Sequence, residues 1–129
     1  MLKLWKRVLI GITIILFVVN TTPTEGQSLP PEQVIDNLNA IAGTWNGTLK
    51  GPRNNVPYRL TIREDGTWKA VSQNGVSGGT VQIVSQRVIF ESRTTGRKGV
   101  YRLFEGKGER FLVLEGDGSV TAQLEPLRD

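Results

Sequence analysis

An all-β chain, folding as an eight-stranded antiparallel up-and-down (meander) barrel with a short N-terminal plug helix, follows from three features of the sequence. First, residues 41–50 alternate strictly: Ile41, Gly43, Trp45, Gly47 and Leu49 share one face, and Ala42, Thr44, Asn46, Thr48 and Lys50 the other. That two-residue period marks a half-buried strand. Second, seven more short runs of this kind follow, separated by Gly, Asp, Asn and Ser turn signals. Third, the connections are brief, so consecutive strands pair as antiparallel neighbours. Closing such a meander leaves no exposed sheet edge.

The 129 residues suffice for one domain, preceded by two short segments. Residues 1–26 have the layout of a signal peptide or N-terminal membrane anchor. Lys3, Lys6 and Arg7 precede an apolar run of 12 residues, 8–19, interrupted only by Gly11 and Thr13. The run is shorter than the roughly 20 residues of a comfortable bilayer span and matches the apolar region of a secretory signal. Thr24, Glu25 and Gly26 are the best small-x-small cleavage candidate. If residues 1–5 are added, the stretch serves instead as an uncleaved anchor with its basic residues in the cytoplasm. Either way the rest of the chain crosses the membrane, so the expected location is periplasmic or secreted, with residues 1–19 as the alternative membrane anchor. A lipoprotein anchor needs a cysteine, and the chain has none.

Residues 27–30 are linker, continuing a Thr-, Pro- and Gly-rich stretch that cannot bury enough apolar surface to order itself. Residues 31–129 form the barrel domain. Pro31 suits the first turn of a helix, Glu32 complements the helix dipole there, and Val34, Ile35, Leu38 and Ile41 recur at helical spacing. This pattern predicts a helix over 31–40 that covers one end of the barrel.

After the strand at 41–50, the second strand, 56–63, turns Val56, Tyr58, Leu60 and Ile62 inward, and Glu64, Asp65 and Gly66 close a hairpin. The third, 67–72, points Trp68 and Ala70 inward. Residues 73–78 read as a longer loop before the fourth strand, 79–84. Ser85 and Gln86 turn into the fifth, 87–93, with Val88 and Phe90 inward. The sixth, 99–104, contributes Tyr101 and Leu103. The seventh, 109–115, is almost continuously apolar, and the eighth, 119–124, contributes Val120, Ala122 and Leu124. Trp45, Tyr58, Trp68, Phe90 and Tyr101 thus all face in, and five large rings favour a shallow pocket over a deep one.

A short helix, then Gly43, Thr44 and Trp45 opening the first strand of an eight-stranded meander, resembles the lipocalin-like (calycin-type) barrels, here as a small bacterial exported protein. The resemblance implies that the tryptophan of the Gly-x-Trp signature, Gly43 and Trp45, packs across the closed end of the barrel against an arginine, for which Arg110 and Arg128 are the candidates. Avidin-type barrels share Gly-x-Trp but carry a ligand-binding asparagine two residues after the tryptophan, where this chain has Gly47, so biotin is not the expected ligand. The strands are shorter than those of typical lipocalins.

Histidine and cysteine are absent, which removes the commonest general base and metal ligand, thiolate zinc sites, disulfides and a cysteine nucleophile. The carboxylates of Glu64 with Asp65 and of Glu115 with Asp117 sit in turns, where they solvate the loop. No catalytic, cofactor-binding or metal-binding residues are expected, and no cofactor. Net charge is +4, of which the leader supplies three basic residues; from Ser28 onward 13 basic and 11 acidic residues leave about +2, too little to argue for nucleic acid. Asn46, Gly47 and Thr48 fit a glycosylation sequon but also read as ordinary strand residues. Arg59, Arg63, Arg87, Arg93, Arg97, Lys98 and Arg102 are expected outward, as solvated wall charges or an anion-binding surface.

These observations predict a non-enzymatic exported β-barrel that binds a small apolar ligand or an envelope or extracellular partner. The other reading is a solid-core structural or inhibitor-like interaction module. Candidate ligand-lining residues are Tyr58, Trp68, Ala70, Phe90, Tyr101 and Ala122. Ile89, Val100, Phe111 and Val113 face outward on three consecutive strands and form a candidate surface for a homodimer or protein partner. Membrane contact is expected only through an uncleaved leader.

Overall fold

A computed structural model describes residues 29–128; the signal or anchor segment and residues 27–28 lie outside the described residues. In chain order the elements are β1 (Glu32–Gln33), a 3-10 turn (Leu38–Ala40), β2 (Gly43–Lys50), β3 (Asn55–Ile62), β4 (Thr67–Ser72), β5 (Gly75–Val84), β6 (Arg87–Ser92), β7 (Lys98–Gly106), β8 (Glu109–Gly116) and β9 (Val120–Pro126). Each of β2 to β9 pairs antiparallel with its neighbour in sequence. β9 returns to β2, with Pro126 opposite Trp45 and Thr121 opposite Lys50. The sheet is therefore a closed eight-stranded up-and-down barrel.

Alternation along the strands builds the core. Val56, Tyr58, Leu60 and Ile62 on β3 are all buried, and Pro57 and Arg59 between them are exposed. Ile41, Leu60, Leu112 and Leu124 are wholly buried, each worth about 1.5–3 kcal/mol relative to an exposed side chain. The five inward rings are buried as well. Phe90 stacks on Tyr101 with ring centroids 4.7 Å apart and meets Trp68 edge-on at 5.7 Å.

Two sequence expectations fail locally, for physical reasons. The segment 31–40 is not an α-helix. β7 is longer than its partner β6, and β1 occupies the edge that β6 leaves open, with Glu32 opposite Phe104 and Gln33 opposite Leu103. Glu105 N donates to Pro31 O at 3.0 Å, and Arg102 clasps the Glu32 carboxylate from outside at 2.7 Å. A ten-residue helix is too short to stand on local bonds, and here the backbone finds sheet partners instead. Ile35 and Leu38 still turn toward the core beside Ile41, but Val34 is 63% exposed. Covering the barrel end thus falls to an extended segment and a 3-10 turn, which Asn37 caps by accepting the Asn39 N–H.

The second failure concerns 73–78. Only Gln73 and Asn74 form the turn, and β5 starts at Gly75. The glycines of that stretch, Gly75 and Gly78, are strand residues opposite Ser72 and Lys69 of β4, and the next one, Gly79, is where the strands come closest. A Cβ on Gly79 would collide with the Glu91 carbonyl oxygen. Its absence brings β5 and β6 close enough for the Trp68 indole N–H to reach both Thr80 O (3.1 Å) and Glu91 O (3.3 Å). Gly99 plays the same part on β7, where a Cβ would lie 2.5 Å from the Phe90 ring.

Candidate functional site

The two ends of the barrel differ. At one end Trp45 lies across the interior, its indole N–H donating to Ile41 O at 2.9 Å. The Arg110 guanidinium sits 5.3 Å from the Trp45 ring centroid, in cation–π range, and donates from Nη2 to Ala40 O at 2.6 Å. Glu105 forms an ion pair with Arg110 Nε at 2.5 Å, without hydrogen-bond alignment. Of the two arginines left open by the sequence, Arg110 is the one at Trp45. Ile35, Ile41 and Ile62 are buried around Trp45 with Leu38 packed against them, and beside this plug a side cavity of about 200 Å³ lies against β1, β6 and β7, lined by Ile35, Val88, Tyr101 and Arg102 among others.

The opposite end holds a cavity of about 240 Å³. It lies where β2, β4, β6 and β8 finish and β3, β5, β7 and β9 begin. Tyr58, Trp68 and Phe90 form its aromatic floor, with Leu49, Leu114 and Val120 beside them. Small polar side chains, Ser72, Asn74, Ser77, Ser92 and Thr95, ring the wall, and Arg97, Lys98 and Asp117 stand at the rim.

Of the six ligand-lining candidates, Tyr58, Trp68 and Phe90 line this mouth. Ala70 and Ala122 are absent from its lining and buried in the core, and Tyr101, also buried, lines instead the side cavity between β1, β6 and β7. Burial pushes the Tyr58 phenol up to about 12. It pushes Tyr101 well above the ordinary tyrosine value, with the neighbouring Tyr58 adding to the shift. Both phenols are therefore neutral near pH 7, and the Tyr101 hydroxyl has no hydrogen-bond partner among the described residues.

The serines and the rim charges were not identified as lining from the sequence. Ser77 and Ser92 continue the inward parity of Gly79 and Phe90, a legible signal once β5 is extended to Gly75. Arg97 and Lys98 were expected on the outer wall, but the β6–β7 turn carries them to the mouth. Chemically, the site offers ring faces for stacking, hydroxyls for hydrogen bonds and a charged rim.

The outward candidates Ile89, Val100, Phe111 and Val113 lie on the outer wall and are half-buried. Ile89 stands opposite Val100 and Phe111 opposite Phe104. Arg102, opposite Val113, passes between these pairs and bridges Glu32 and Glu115, with its guanidinium 5.4 Å from the Phe104 ring. Among the described residues no group of three or more His, Cys, Asp or Glu side chains is placed to hold a metal ion.

Fold and site together define a closed meander barrel shut by a tryptophan–arginine pair at one end and open through an aromatic-floored mouth at the other. Comparison with protein-family models, with curated proteins and with solved structures returned no match.

Proposed function

We propose that this protein is a non-enzymatic, lipocalin-like binding module that takes a small, partly apolar ligand into the open mouth of its barrel. The observation that carries the reading is the cavity of about 240 Å³ over Tyr58, Trp68 and Phe90. Concave sites with an apolar floor and a few convergent polar groups are where small ligands bind. The volume falls under the roughly 300–1,000 Å³ of drug-sized sites, so the ligand is small. The Trp45–Arg110 contact at the shut end supports the calycin-type resemblance. The basic start and apolar run of residues 1–19 support an exported protein, periplasmic, secreted or held by that segment. Native mass spectrometry of freshly purified protein tests the reading. A small co-purified mass that disappears in Trp68→Ala supports it; the same bound mass in both proteins, or none in either, contradicts it.

A second reading, a solid-core interaction module, is favoured by the five inward rings, all of them buried. Its contact surface is the outer wall at Ile89, Val100, Phe111 and Val113, for a second copy or another protein. Sedimentation of Phe111→Lys against the parent distinguishes it. Loss of self-association in a folded variant supports a dimer there, and two monomers at high concentration exclude it.

A further inference from the structure

We infer that the ligand of the mouth is a small ring compound bearing a negative charge. The ring rests on the Trp68–Phe90 floor, and its oxyanion is held by Arg97 and Lys98. This deepens the proposed function and rests on it, because it takes the mouth as the binding site.

Size selects the ring. A cavity of about 240 Å³ equals the liquid volume of about eight waters, enough for one ring and a substituent and too little for a long acyl chain. The floor agrees with this: Trp68 and Phe90 meet edge-on at 84°, and stacked or edge-to-face contact is what an aromatic guest gains from such a pair.

Charge selects the anion. Among the described residues no carboxylate lies within ion-pair distance of Arg97 or Lys98, although Glu91 stands cross-strand from Lys98, whereas Arg102 holds Glu32 and Glu115, and Arg110 holds Glu105. Asp117, the only carboxylate lining the mouth, is engaged by the backbone: its Oδ2 accepts the Lys98 N–H at 3.1 Å. The rim therefore sets two cationic side chains against one carboxylate, above a low-dielectric floor that strengthens their field.

The loop carrying the two cations is cross-tied. Ser92 N donates to Arg97 O at 2.8 Å and Gly96 N to Ser92 O at 2.8 Å. Ser92 Oγ accepts the Thr95 N–H, and Thr95 Oγ1 accepts the Arg97 N–H, each at 3.2 Å. Little ordering is left for a ligand to impose on that backbone, which is the advantage of a preorganised site.

Calorimetric titration of the full chain with benzoate, benzyl alcohol and benzylamine tests the inference, since the three share a ring and differ in charge. Benzoate is expected to bind about tenfold more tightly than benzyl alcohol, as one charge-assisted contact allows, and benzylamine most weakly. Replacing both cations, Arg97→Gln with Lys98→Gln, should abolish the difference between benzoate and benzyl alcohol, with benzoate losing far more affinity than the alcohol. Equal binding of all three, a preference for benzylamine, or a benzoate preference that survives the double substitution would overturn the anion assignment and leave the mouth as the site. Absence of heat from all three would overturn the mouth reading along with it.

Discussion

The Tyr101 hydroxyl is buried under Phe90, and no protein atom among the described residues answers it. A buried donor left without a partner carries a desolvation cost of about 1–3 kcal/mol, so its removal should help the fold. Tyr101→Phe is expected to raise stability by about 1 kcal/mol, seen as a higher urea midpoint at unchanged slope. A lower midpoint would mean that the hydroxyl has a partner in solution. Arg110 is the opposite case, a charged group with a carbonyl, a carboxylate and a ring around it. Arg110→Met keeps most of the stem and loses the rest. Because the side chain is partly solvent-exposed, the expected cost is about 1–2 kcal/mol, with a red shift of Trp45 emission. An unchanged midpoint would remove Arg110 from the account of the shut end.

Among the elements, β1 is the least secured, with two paired residues and a side-chain clasp. The hydrogen bond from Arg102 holds the Glu32 carboxyl below its ordinary value of 4.5. A carboxyl depressed in the folded state contributes stability above its unfolded pKa and loses it as pH falls through the folded value. Acidification from pH 4.5 downward should therefore loosen β1 ahead of the barrel. Faster hydrogen exchange, beyond its intrinsic pH dependence, is expected at Glu105, whose N–H is bonded to Pro31. Glu32→Gln should show the loosened exchange already at neutral pH. Identical exchange in variant and parent across that window would show that the clasp holds nothing.

The antiparallel walls of the whole molecule were legible because each strand has one face in the core and one in water, which writes burial into the sequence as alternation. Val56 to Ile62 is the clearest case. Two kinds of information were not local. Gly75 and Gly78 look like loop residues until β5 is seen paired with β4 through them, Gly75 opposite Ser72 and Gly78 opposite Lys69. Likewise the segment 31–40 carries helical spacing, yet its partner is a strand edge about 70 residues away. The site divides in the same manner. Its aromatic floor followed from strand parity, but the polar rim gathers Asn74, Thr95, Arg97 and Asp117 from three separate hairpin turns. Only closure of the barrel brings those turns together. Closure also sets the chain's N-terminal approach, where Pro30 and Pro31 lie against Gly106, at the end away from the mouth.

The most direct test of this arrangement is the NMR footprint of a small neutral ring compound such as benzyl alcohol on the full chain. Resonances of the Trp68 indole and of Ser77, Ser92 and Thr95 should shift, and those of the Trp45 indole and Phe111 should not. Shifts centred on Trp45, or on Phe111 and Val113, would contradict a barrel that binds through its open end.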